Sequence, residues 1–242
     1  MRRGAPKPLR HGVARVISKL GLASRAQAAQ WVLEGRVRVD GQLVRDAEFP
    51  VRSGAQRVTI DGQEPRAAAR LVLMLNKPRG LITTRHDERG RKTVYECFAG
   101  ANLPWVAPVG RLDKASEGLL LFSNDPAWAA RITDPLTGPP KTYHVQIDRR
   151  ADDALLRALQ AGTATEGEVL KVDSARVLRS GQRHAWLELA LREGRNRHIR
   201  RLLAALDVAV LRLVRVAVGP LTLGRLPKGQ WRPLAAAEIA AL

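Results

Sequence analysis

One stretch constrains this chain more than any other: Pro108-Val-Gly-Arg111-Leu-Asp113-Lys114-Ala-Ser-Glu117-Gly-Leu-Leu-Leu-Phe-Ser123. Its apolar run, Leu119 to Phe122, is long enough for a buried strand and short for a helix. Just ahead of the run stand one acid, Asp113, and two bases, Arg111 and Lys114. A carboxylate held at a strand edge by a Gly-containing turn can be aimed into a cleft. Asp also serves turns and helix caps, so local chemistry alone leaves both roles open, and the rest of the chain has to decide between them.

The charge balance narrows the choice of partner. Against 23 Asp and Glu stand 41 Lys and Arg, a formal net charge of +18. That excess must be solvated or face an anion, and nucleic acid is the commonest such partner of a basic globular chain. A membrane surface would call for a basic amphipathic helix or a lipid signal, and neither is found. No apolar run reaches the length of a membrane span. The first residues are basic and Pro-containing, and no apolar signal-peptide core follows them. The single cysteine, Cys97, excludes an internal disulfide and fits a reducing cytoplasm. The five His and one Cys show no metal-ligand spacing, and no phosphate loop or dinucleotide fingerprint occurs. No cofactor is expected.

Residues 1–10 read as a basic tail and residues 11–60 as a small first domain. Val16, Ile17 and Leu20 recur at helical spacing, and Gly21 stops that helix. Ser24 with Gln27 three residues on opens a second helix, which Gly35 ends. Val37 and Val39 alternate into the hairpin signal Asp40-Gly41 and a return strand through Leu43. A helix-helix-hairpin unit of this size buries little surface and is usually a binding module or a docked cap. Its basic residues are Arg15, Lys19, Arg25, Arg36 and Arg38. Residues 61–70 read as a linker.

The second domain, residues 71–242, opens on the apolar strand Leu71–Leu75 and a turn, Asn76-Lys77-Pro78-Arg79-Gly80, rich in positive charge. A polar loop at 84–92 adds four more bases. Pro126 opens a short helix through Ile132, Thr142 to Ile147 alternates as a strand, and Asp152 caps a helix with Leu155, Leu156 and Leu159 inward. Strands follow at about 168–178 and 184–191, and residues 208–216 alternate again. The densest charge lies in Arg192-Glu-Gly-Arg195-Asn-Arg197-His198-Ile-Arg200-Arg201. There Ile199, Leu202, Leu203 and Leu206 mark an amphipathic helix whose start favours a phosphate. The expected class is α+β: a small helix-helix-hairpin RNA-binding domain plus a larger mixed, mostly antiparallel sheet.

Two resemblances follow from these motifs. Ser24-Arg25, Gly35-Arg36-Val37-Arg38-Val39 and Asp40-Gly41 resemble the S-four RNA-binding domain over about residues 11–58, which implies Arg25, Arg36 and Arg38 as RNA contacts. Gly110-Arg111-Leu112-Asp113, Ser116 to Leu120, Lys141-Thr-Tyr143-His-Val145 and Glu193-Gly-Arg-Asn-Arg197-His-Ile-Arg200-Arg201 resemble the bacterial pseudouridine synthases that modify ribosomal RNA. That second likeness runs from about Leu71 to the C-terminus.

It implies a catalytic Asp113, a base-packing Tyr143, an Arg200 that pairs with the carboxylate, and an Arg111 beside the flipped-out site. Lys114, Lys77, Arg195, Arg197, His198 and Arg201 join the implied RNA-binding set. The implied partner is ribosomal RNA or a pre-ribosomal particle, met by a cytoplasmic monomer. The reaction moves the ribose bond from a ring nitrogen to carbon-5 and changes no oxidation state, so one carboxylate suffices. Two competitors remain. A non-catalytic RNA-binding protein would use the same basic surface. A glycoside hydrolase would need two carboxyls across one bond, and Glu117, the only other acid nearby, has a structural setting.

Overall fold

The computed structural model describes residues 10–52, 55–85, 87–165 and 167–242, so all but Arg10 of the expected basic tail lies outside it. The chain divides into two compact units. The first comprises Met1–Leu71 with Asn102–Ala107 and Ser123–Ala127, and the second holds the remainder.

The first unit contains β1 (Arg10–Gly12), α1 (Val13–Lys19), α2 (Arg25–Leu33), β2 (Val37–Val39), β3 (Gln42–Leu43), β4 (Pro50–Arg52) and β5 (Val58–Ile60). The helix-helix-hairpin core is as the sequence indicates. The Ser24 hydroxyl accepts a hydrogen bond from the Gln27 amide and starts α2. Gly35 takes a positive φ of 75° just past its end. Asp40 and Gly41, both with positive φ, turn β2 back into β3. Three short strands were not foreseen, because two or three residues carry no period. Arg10 belongs to one of them and pairs with Arg52. Val13, Ile17, Ala28, Val32, Val37 and Val51 form the buried core. The 61–70 segment carries no helix, and the Ala68 amide donates to the Leu20 carbonyl.

The second unit is built on β6 (Val72–Lys77), β7 (Ala107–Val109), β8 (Glu117–Ser123), α3 (Pro126–Thr133), β9 (Lys141–Ile147), α4 (Asp153–Ala161), β10 (Thr163–Thr165) and β11 (Glu168–Leu170). It continues with β12 (Ser174–Ser180), β13 (Ala185–Leu191), α5 (His198–Ala204), β14 (Val210–Val218), β15 (Leu221–Thr222), β16 (Trp231–Pro233) and α6 (Ala236–Ala240). One mixed sheet runs β12-β13-β9-β14-β8-β6-β16, with β15 on β14 and β7 on β8. β14 lies parallel to β8 and antiparallel to β9.

Alternation sets the faces. Leu187, Leu189 and Leu191 point inward with Val145, Ile147 and Leu213, and α4 and α5 cover them with Leu155, Leu159, Leu202 and Leu203. α3 packs Trp128 and Ile132 on Met74, Leu119 and Leu121. Every residue of β8 is buried, including Glu117, which is enclosed by ion pairs to Arg212 and Lys228.

Two expectations need correcting. The strand expected at 168–178 is two, β11 and β12. At the break, the Val172 amide turns to the Leu159 carbonyl and the Asp173 amide to Ala190. Lys77 is not in a charged turn: it is the last residue of β6 and has no exposed surface.

Gly118 shows how closely β8 and β14 approach. A Cβ placed there would lie 2.2 Å from the Arg215 carbonyl oxygen, on a backbone with φ of 101°. Gly118→Ala should therefore destabilise the protein by about 3 kcal/mol through forced strand separation, read from urea unfolding midpoints.

Candidate active site

The loop between β7 and β8 carries the acid, and its backbone is held from every side. Five consecutive carbonyls, residues 112 to 116, each accept a hydrogen bond. The Thr83 hydroxyl donates to Leu112 O at 2.7 Å. Asp113 O accepts from the Ser116 amide at 2.9 Å and from Lys77 Nζ at 3.2 Å. The Gly80 amide donates to Lys114 O at 2.7 Å. Arg200 Nη2 donates to Ala115 O at 3.2 Å, and Lys77 Nζ to Ser116 O at 2.8 Å. A third Lys77 bond goes to Pro78 O at 3.1 Å. One ammonium with three donors thus fastens the end of β6 to both ends of the Asp113 turn.

So anchored, Asp113 is exposed at the wall of a cavity of about 270 Å³. Tyr143 enters from β9. Among the described residues Asp113 is the only acid lining the cavity, against Arg111, Lys141, Arg192, Arg195, Arg197 and Arg215. Ser116 and His198 also line it, and Ser116 Oγ and His198 Nδ1 are buried with no hydrogen-bond partner among the described residues.

The structure brings together most of the residues singled out from the sequence. Asp113, Tyr143, Arg111, Arg195, Arg197 and His198 all line the cavity. Lys114 is exposed beside Asp113 in an adjoining groove with Arg89 and Arg111. Arg197 caps α5 in the left-handed conformation, with φ of 50°.

Others differ from expectation. Arg200 makes no ion pair with Asp113 within 4.0 Å. Its guanidinium goes to the carbonyls of Ala115 and Val210 instead. Burial lowers its pKa, Arg197 lowers it further, and the charge of Asp113 opposes them. The acid is therefore felt by Arg200 without touching it. His198, expected on an RNA-facing surface, is only 4% exposed, and its Nε2 meets Lys171 O at 2.9 Å. Burial keeps that ring neutral by lowering its pKa. Arg195 and Arg201 both pair with Glu168.

In the first unit, Arg25 pairs with Glu48, Arg36 pairs with Asp61 over the Trp31 ring, and Arg38 donates to Gly41 O. None of the three lines the cavity.

Three cavity cations carried no assigned role in the sequence reading, Lys141, Arg192 and Arg215. The signal for Arg215 was available: it is a charged residue at an inward position of the alternating strand Leu213-Val-Arg215-Val-Ala217.

Comparison with known proteins agrees in both units. Residues 71–205 match the RNA pseudouridylate synthase family model, and residues 13–58 match the S4 domain. An uncharacterized RNA pseudouridine synthase of Aquifex aeolicus is 36% identical over 232 residues, covering 95% of this chain and 92% of the relative. The ribosomal large subunit pseudouridine synthase B of Bacillus subtilis is 32% identical over 231 residues, covering 94% and 93%. A crystal structure of a pseudouridylate synthase superposes with a TM-score of 0.67 at 26% identity, over 96% of this chain and 99% of the other.

Burial lowers the Lys77 ammonium from its ordinary 10.5 to about 8, against the pull of Asp113, Cys97 and Glu117. An unfolded lysine keeps its proton up to its ordinary value. Between the two values the unfolded chain binds more protons, so folded stability should rise with pH across that window. Lys77→Met lacks the titrating group and should lose the rise. Urea unfolding of both proteins below pH about 8 and at pH about 9.5 measures the difference.

Proposed function

This chain belongs to the RNA pseudouridylate synthase family, and on that premise we propose that it converts a specific uridine of ribosomal RNA, favouring large-subunit RNA, to pseudouridine. The observation that carries the proposal is an exposed carboxylate in a cavity of about 270 Å³ whose other charged lining side chains, among the described residues, are all cations. A carboxylate among phosphate-seeking bases weakens RNA binding, so a protein that only held RNA would gain nothing from it. Glu117 offers no second acid for hydrolysis, being 2% exposed and paired twice.

The target base must leave its stack to reach Asp113, at a cost of a few kcal/mol. Phosphate contacts at exposed Arg111, Lys114 and Arg197 offset that cost; they position the strand without reading its sequence. Tyr143 walls the cavity and keeps the detached uracil from escaping. Asp113 acts on the sugar, either by bonding to C1′ or by taking a proton from the neighbouring carbon. Both routes need an ionised oxygen at a fixed place, which the pinned loop supplies. The electron pair stays within the nucleotide throughout, so the chemistry needs no cofactor. The S4 unit adds a second RNA contact, and the Bacillus subtilis relative, by its name, acts on the large ribosomal subunit. The proposed setting is the cytoplasm, where ribosomal RNA is made; among the described residues no helix is long and apolar enough to cross a membrane.

Tritium release from ribosomal RNA carrying 5-labelled uridine tests the proposal. Wild type should release tritium, and Asp113→Asn should lose at least about a hundredfold in rate while binding RNA as tightly or more so. Absence of release from every ribosomal RNA would refute the assignment. Mapping pseudouridine in ribosomal RNA from a deletion strain names the target. RNA affinity should fall steeply with salt, and Arg197→Gln should reduce the logarithmic salt slope by about one, measured by filter binding.

A further inference from the structure

Lys141 and Arg215 are two cavity cations that phosphate gripping does not explain. Register places them together with Tyr143. Tyr143 lies directly opposite Arg215 across the β9–β14 ladder, and Lys141 is two residues before Tyr143, on the same face of β9. All three line the cavity with Asp113.

Both cations are recessed. Arg215 is only 6% exposed and Lys141 is half-buried. Neither forms an ion pair among the described residues. Lys141 Nζ donates to Arg192 O at 3.1 Å, and Arg215 Nε donates to Leu119 O at 2.6 Å. Neutral carbonyls satisfy part of each head group and cancel none of its charge. The Lys141 pKa is lowered by burial and by the neighbouring Arg215, which Asp134 only partly opposes. Two like charges are thus held side by side in a recess, and an anion there would relieve their repulsion. The seat is a built one: the same close approach that excludes a Cβ from Gly118 brings the Arg215 backbone against β8.

We propose that Lys141 and Arg215 form the site that stabilises the uracil as an anion while it is detached from the ribose. The assignment deepens the uridine-isomerisation reading and rests on it. When the C1′–N1 bond breaks, its electron pair passes to the base and spreads over N1 and the ring carbonyl oxygens. C5 of that anion then bonds to C1′ as the Asp113 oxygen leaves that carbon or returns the proton it took, the hydrogen on C5 leaves as a proton, and N1 takes up a proton, so the product is an isomer. Cations fixed where negative charge develops lower the barrier, because they act on the transition state more than on neutral uridine. A phosphate is the other anion RNA could offer. Exposed Arg111 and Arg197 on the cavity wall are the cations open to a phosphate, while Lys141 and Arg215 are recessed beside Tyr143, where an extruded base would lie. Lys141 and Arg215 are therefore catalytic residues acting on the base, and Asp113 acts on the sugar.

The test compares single-turnover rates on one target RNA carrying either uridine or 5-fluorouridine at the modified position. Loss of the parent nucleoside is followed by chromatography after nuclease digestion. Fluorine makes the base a more stable anion, so less help from the protein is needed. Lys141→Met and Lys141→Gln, each checked for an unchanged melting temperature, should lose on the order of a hundredfold on uridine, the scale of one oxyanion donor. They should lose clearly less on 5-fluorouridine. RNA affinity should be unchanged, and Lys141→Arg should recover most of the rate. Equal losses on the two substrates would overturn the proposal. So would an unchanged rate with weaker binding and a shallower salt slope, which would make Lys141 a phosphate contact. A wild type that turns over neither RNA would instead sink the uridine reading, and this site with it.

Discussion

The second unit is organised around a buried ammonium. Lys77 sits at the end of β6 with no exposed surface and spends its three donors on Pro78, Asp113 and Ser116 carbonyls. Burying a lysine is costly unless every donor is satisfied. Here the satisfaction comes from a turn that has no regular secondary structure of its own. Thr83, Gly80 and Arg200 complete the set, so that five successive peptide carbonyls point at donors drawn from three separate parts of the chain. The irregular loop that carries Asp113 is thereby held at each of these carbonyls, as the positioning of a reacting group would require.

Charge in this protein divides into two kinds, and the net value of +18 does not distinguish them. Some bases are engaged by acids or carbonyls of their own unit: Arg195 and Arg201 with Glu168, Arg212 and Lys228 with Glu117, Arg36 with Asp61. The solvent-exposed pairs among these add little stability, whereas those to Glu117 enclose a buried carboxylate. Other bases stay without a carboxylate around the cavity, where Asp113 is the one acid among the described lining residues. Local field and total charge therefore differ: the recess is positive with one negative wall.

Much of the local structure was legible because short-range rules dominated it. The Ser24 and Asp152 caps, the Asp40-Gly41 turn and the alternation in β13 each depend on neighbours within four residues. The break at residues 171–173 escaped notice because it depends on acceptors at Leu159 and Ala190. Lys77 was misplaced for the same reason: a lysine next to Pro78 looks like a turn until distant carbonyls are known to surround it. Arg200 was expected to touch the acid, and it supports the acid's loop through Ala115 instead.

By itself the sequence determined most element types, the family motifs and the acid expected among them, since periodicity, capping chemistry and motif spacing are written in adjacent residues. Only the tertiary structure decided which charges are free. That outcome turns on contacts between residues more than a hundred positions apart, such as Glu117 with Lys228, and on strand register that sets Arg215 opposite Tyr143. A charged side chain is polar in any sequence, but its reach, burial and partners exist only once the sheet has closed around it.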